Sequence, residues 1–117
     1  MKLKRFMADL NQYDIPSDVI YDIERTVDIL LGKYEANINR IFLFGSYATG
    51  KYQPDSDIDI AVVLNELPPL KERLLYKQAV ELERDVHLLF CTAVQLAEDV
   101  LVYKRINEQG MVLYEQL

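Results

Sequence analysis

The chain has one cysteine in 117 residues, Cys91, so it cannot close an internal disulfide, and such sparing use fits a reducing compartment. Cys91 follows a strand-like run and reads as a small buried hydrophobe rather than a reactive thiol. Long apolar runs are missing too: none approaches the roughly 20 residues of a membrane-spanning helix. The opening MKLKRFMADLNQ has the basic start of a signal peptide, but Asp9 and Asn11 break its apolar stretch, so no export signal is read and a cytoplasmic location is expected. Positive charge is in deficit, 13 Lys and Arg against 19 Asp and Glu, for a net charge of −6. An acidic surface repels a phosphate backbone, so direct nucleic-acid binding is not expected. A nucleotide held through a metal remains compatible, because the cation reverses the local electrostatics. The acidity also suits a basic protein partner. No repeat, low-complexity tract or dividing linker interrupts the chain, and its length fits one domain.

Strand-like and helix-like stretches alternate. Residues 1–16 show no clear period and are expected to form an arm or a short helix ahead of a domain at 17–117. A helix is predicted from Ser17, with Ser17 or Asp18 as its cap and Ile20, Ile23, Val27, Leu30, Leu31 and Tyr34 on one apolar face. NINRIFLFG reads as a buried strand ending at Gly45, and IDIAVVL as a second strand over 58–64. Between them Gly50, Pro54, Asp55 and Ser56 are turn formers. Pro68 and Pro69 lead into a helix running to about Arg84, with Leu70, Leu74, Leu75, Ala79 and Leu82 inward. DVHLLF is a third strand, AVQLAEDVLVYKRI a third helix closed by Gly110, and MVLYE a final short strand. This alternation argues for a sheet covered by helices.

The chemistry concentrates in GSYATGKYQPDSDID. Asp57 and Asp59 are two apart, which on a strand puts both side chains on one face. Neighbouring carboxylates raise one another's pKa unless a cation lies between them. Paired hard oxygens suit Mg²⁺, which takes one or two protein carboxylates and completes its shell with water and phosphate. The Gly45-Ser46 turn supplies a complement: glycine permits close backbone approach, and the Ser46 hydroxyl and amide donors can face a phosphate. A phosphate cradle opposite a metal-binding pair is the equipment of phosphoryl or nucleotidyl transfer.

Gly45-Ser46, ten residues, then Asp57-Ile58-Asp59 resembles the Gly-Ser-x10-Asp-x-Asp signature of the DNA polymerase beta-like nucleotidyltransferases. The stretch IFLFGSYATGKYQPDSDIDIAVV is similar to their small stand-alone branch, the minimal nucleotidyltransferases (MNT proteins). VHLLF falls at that family's third core strand, and KRINEQGMVLYE resembles its carboxyl-terminal pattern, so the resemblance covers roughly residues 17–116. It implies an α/β (α+β) fold, a small mixed sheet with helices mainly on one face. Gly45 and Ser46 would hold the triphosphate of ATP, and Asp57 and Asp59 would hold Mg²⁺ against it. An acceptor hydroxyl would attack the α-phosphate and release pyrophosphate. It further implies a HEPN-type ribonuclease toxin as partner, neutralised by transfer of AMP or, alternatively, by direct binding with little or no catalysis. An acceptor is expected to arrive on another molecule, and a homo-oligomer is left open.

The resemblance also implies a third acidic residue on the third strand, in a Val-Asp-Leu setting. This chain has Val86-His87-Leu88 there. A neutral imidazole is a poor Mg²⁺ ligand, which leaves several readings open. His87 could act as a general base on the acceptor hydroxyl. Asp85, on the same strand face, could replace the missing carboxylate. His87 could be a structural residue, or the third function could be lost. Lys51 and Arg40 flank the motif and read as solvated cations, and Tyr47, Tyr52, Tyr103 and Tyr114 as packing residues.

Overall fold

The apolar runs read as strands pair into one five-stranded sheet. The structure, a computed structural model, describes residues 5–81 and 86–117, the Ala79 side chain excepted. Its strands are β1 (Arg5–Met7), β2 (Ile38–Phe44), β3 (Ile58–Leu64), β4 (Val86–Thr92) and β5 (Met111–Gln116). They lie in the order β1-β5-β2-β3-β4, antiparallel throughout except for the parallel pair β3 and β4. The helices are α1 (Ser17–Tyr34), α2 (Ser46–Thr49), α3 (Leu70–Glu81), α4 (Ala93–Leu96) and α5 (Leu101–Gln109). The segment ahead of Pro16 holds the edge strand β1 and one 3-10 turn at Leu10–Gln12.

From Ile60 onward β3 is an unbroken apolar run because both of its faces are covered there; Asp59, near its start, is the exception. Ile58, Ile60, Val62 and Leu64 pack into a large core with Ile23, Val27, Leu30 and Val80, under α1 and α3. Ala61 and Val63 point to the opposite face and meet Phe42, Cys91, Leu96 and Ile106, under α4 and α5. The long helices thus lie on one face and two short ones on the other. Asp59 alternates with Ala61 and Val63, so it belongs to the face of α4 and α5.

Three sequence expectations need correction. Neither Ser17 nor Asp18 caps α1: Pro16 occupies the cap position, and its carbonyl accepts from Ile20 N at 2.9 Å. Proline has its φ already set there, so Ser17 falls inside the first turn. On α3, Leu70, Leu74 and Leu75 face outward rather than inward. The inward stripe is instead Tyr76 and Val80, four residues apart. Tyr76 fixes this phase, since its hydroxyl donates to Ile29 O at 2.7 Å and its ring meets Tyr34 edge-on at 5.2 Å. Leu82 and Arg84, like Asp85, lie outside the described residues. Finally, the segment read as one helix from Ala93 is two. Thr92 and Gln95 form a reciprocal capping box for α4, and Val100 is extended ahead of α5. The break lets α4 sit against β3 and β4 while α5 crosses to β2.

Cys91 is fully buried, and desolvation pushes its thiol up to about 11, against a smaller opposing effect of Arg40. While it stays buried, only about one thiol in a thousand is ionised at pH 8. The native protein is therefore expected to resist alkylation and to titrate one thiol only in denaturant; rapid labelling in plain buffer would contradict this packing. No helix among the described residues is long and apolar enough to cross a membrane.

Candidate active site at the tip of the sheet

β2 ends where its apolar run ends, at Phe44, and the chain turns through Gly45. Gly45 has φ 74° and ψ −153°, a combination essentially reserved for glycine. A Cβ added there would run into the Asp59 carboxylate at Oδ2. Two sequence signals 14 positions apart, Gly45 and the second aspartate, are therefore in contact. Asp57 immediately precedes β3 and is exposed, and its charge acts on Asp59.

The strand register completes the arrangement. Phe44 pairs with Asp59 across β2 and β3, and Asp59 pairs with His87 across β3 and β4. His87 Nδ1 comes within 3.4 Å of Asp59 Oδ1, with the imidazole 57% exposed and the carboxylate 26%. Burial pushes the Asp59 carboxyl above its ordinary range; His87 opposes this, and the negative charge of Asp57 adds to it. A half-buried carboxylate beside a second one is a site of uncompensated negative charge.

Ser46 opens α2 and is half-buried, and its hydroxyl has no protein partner among the described residues. Gly45 O accepts from Ala48 N at 3.1 Å and Thr49 N at 3.2 Å, which closes the turn. Tyr47 and Tyr52 stack with ring centroids 4.7 Å apart, packing behind the motif as expected. The Tyr52 hydroxyl also donates to Asp14 O at 3.4 Å, tying the loop to a distant segment. No sequence signal pointed to that tie, because a backbone acceptor can be any residue.

The structure thus brings Gly45, Asp59 and His87 together, with Ser46 and Asp57 flanking them. Asp85 lies outside the described residues. Arg40 does not project from the turn: its guanidinium lies over the Phe42 ring at 5.4 Å, and Nε donates to Asn39 Oδ1 at 3.2 Å. Lys51 is exposed just past α2. The arrangement is an open shelf; three grooves of about 350, 540 and 460 Å³ lie elsewhere, and none is lined by these residues.

Residues 28–116 match the family described as polymerase beta, nucleotidyltransferase. The chain belongs to that family. The chain is 35% identical over 98 residues to MJ0604 of Methanocaldococcus jannaschii, covering 79% of this chain and 94% of that one. It is 34% identical over 56 residues to MJ0141 of the same organism, covering 48% of this chain and 54% of that one, so it spans about half of MJ0141. Both relatives bear the name of protein adenylyltransferases. Among solved structures, the chain is similar to one chain of a toxin–antitoxin complex with AMP-PNP. The TM-score is 0.61 and the identity 28%, over 80% of this chain and 73% of that one. It is also similar to a chain in the complex of the tri-AMPylated HEPN toxin of Shewanella oneidensis with its MNT antitoxin. There the TM-score is 0.56 and the identity 25%, over 80% of this chain and 70% of that one.

Proposed function

We propose that this nucleotidyltransferase moves AMP from ATP onto a partner protein and serves as the antitoxin of a HEPN-type ribonuclease toxin. The observation that carries the chemical part is the contact between the Gly45 turn and the Asp59 carboxylate, with Asp57 alongside. A divalent cation fits this donor set. Asp59 is held up by burial and by the Asp57 charge, and two hard oxygens at a strand tip are what Mg²⁺ takes from a protein when phosphate supplies the rest. When bound, such an ion neutralises charge on the triphosphate and on the departing pyrophosphate.

The protein's own groups have separable duties in this reading. Asp57 and Asp59 hold the cation. Gly45 lets the backbone approach the triphosphate, and the Ser46 hydroxyl donates to it. His87 touches Asp59 and orients it, and with most of its ring open to solvent it receives the proton of the arriving hydroxyl. The acceptor oxygen bonds to the α-phosphorus as the bond to the pyrophosphate oxygen breaks. The named adenylyltransferase relatives and the complexes with an AMPylated toxin and with AMP-PNP support the choice of adenylate and of a protein acceptor.

Calorimetry tests the site: wild-type protein is expected to bind ATP with Mg²⁺, and Asp57→Ala to give no measurable heat. ATP-dependent labelling of a co-expressed HEPN toxin should disappear in the same variant. Labelling that survives Asp57→Ala would remove the assignment.

One observation favours a second reading. His87 stands in the strand row where the family resemblance implies a carboxylate, which suits an antitoxin that acts by binding alone. In that case Asp57→Ala with Asp59→Ala would neutralise the toxin as fully as the wild type.

A further inference from the structure

The solvent side of the long-helix layer has two unlike halves. On α3, Leu70, Leu74 and Leu75 are 60%, 56% and 59% exposed and form one stripe beside Lys71. On α1, the exposed Tyr21 and Ile29 border a groove of about 460 Å³ with Glu24, Arg25 and Asp28. The two helices touch at the Lys33–Glu72 contact of 3.8 Å and the Tyr76–Ile29 hydrogen bond. Large apolar side chains clustered in water mark an interaction surface.

We propose that this layer is the interface of a two-fold homodimer, in which the leucine stripe of α3 in one copy seats on the Tyr21–Ile29 face of α1 in the other. Both halves of a complementary pair are present on this one chain, which singles out a second copy over an unrelated protein. Leu70 and Leu74 supply a ridge, with Leu75 at the edge of the groove of about 540 Å³, and the α1 face supplies a groove for it, the usual way two helices pack. Lys71 of one copy then meets Glu24 and Asp28 of the other. Among the described residues none of these three takes part in an ion pair, so all are available. Two-fold symmetry makes each contact twice. The helices are about 27 Å and 18 Å long and about 10 Å across. The layer therefore presents on the order of 500 Å² before side-chain relief, approaching the ~800 Å² per partner of ordinary specific interfaces. Asp59 is on the other face of the sheet, so both shelves stay open to nucleotide and acceptor.

Sedimentation velocity and light scattering on the full chain, from low to high micromolar concentration, test this. The wild type is expected to be dimeric. Leu74→Asp with Leu75→Asp is expected to be monomeric with an unchanged far-ultraviolet circular dichroism spectrum. Lys71→Glu should weaken association about tenfold or more, and Asp28→Lys in the same chain should restore it. If the leucine variant fails to fold, the charge reversal and its rescue decide the matter alone. A wild type that stays monomeric throughout overturns the proposal, as does a dimer that these substitutions leave intact. Leucines that bind only a different protein, on an otherwise monomeric chain, overturn it equally.

Discussion

Asp59→Asn is expected to melt at a higher temperature than the wild type when both are free of metal at neutral pH, while losing on the order of 10²-fold or more in transfer rate. The two effects have one origin. Burial raises the Asp59 carboxyl above its unfolded value, more than the His87 contact lowers it. A raised carboxyl means the folded state binds the proton more tightly than the unfolded chain. Relative stability from this group is therefore present at low pH and lost as pH rises through the folded pKa; at neutral pH the ionised group costs stability. The amide removes that cost. The gain should be largest above the folded pKa of Asp59 and should vanish in acid, once both states are protonated. The same substitution removes an anionic ligand from the proposed cation site. Added Mg²⁺ with ATP should accordingly raise the melting temperature of the wild type but not of the variant. Thermal melts across a pH series, with and without Mg²⁺ and ATP, check both signs. A variant that melts lower at neutral pH, or one that transfers at the wild-type rate, would contradict the assignment.

Gly45→Ala should be the most damaging single-atom addition to the turn. The backbone at φ 74° and ψ −153° is open to glycine and costs other residues about 1–3 kcal/mol. The new methyl also strikes the Asp59 carboxylate, and overpacking adds a comparable amount. A destabilisation of roughly 2–4 kcal/mol is expected, or a fall in Tm on the order of 10 °C. Asp59 must also move, so nucleotide affinity should fall with stability. A double-mutant cycle separates the two causes. In an Asp59→Ala background the methyl no longer meets the carboxylate, and only the backbone cost should remain. Additive effects of the two substitutions would show that Gly45 and Asp59 are not in contact.

The strands and the candidate aspartate pair were legible because each rests on local pattern. β3 begins and ends at the residues the run IDIAVVL predicts, 58 and 64, since past Asp59 it is covered on both faces and needs no alternation to be seen. The spacing from Gly45-Ser46 to Asp57 and Asp59 identified a motif whose ends do meet. What the sequence concealed was decided by distant partners. The outward turn of Leu70, Leu74 and Leu75 follows from Tyr76 reaching Ile29, 47 positions away, and periodicity alone cannot set a helix's phase. The break between α4 and α5 reflects the need to cross from β4 to β2. Likewise, the row Phe44, Asp59, His87 depends on a register between strands that nothing within either strand specifies.

The order of strands has a consequence for how the chain folds during synthesis. Every strand of the reactive row is available once Thr92 has been made, whereas β1 must wait for β5, because Arg5 finds its place opposite Gln116. Pairings so remote in sequence are the slow ones. The carboxylate shelf can thus take shape in a folding chain whose edge strand is still unpaired, and the late kinetic event belongs to the β1–β5 seam.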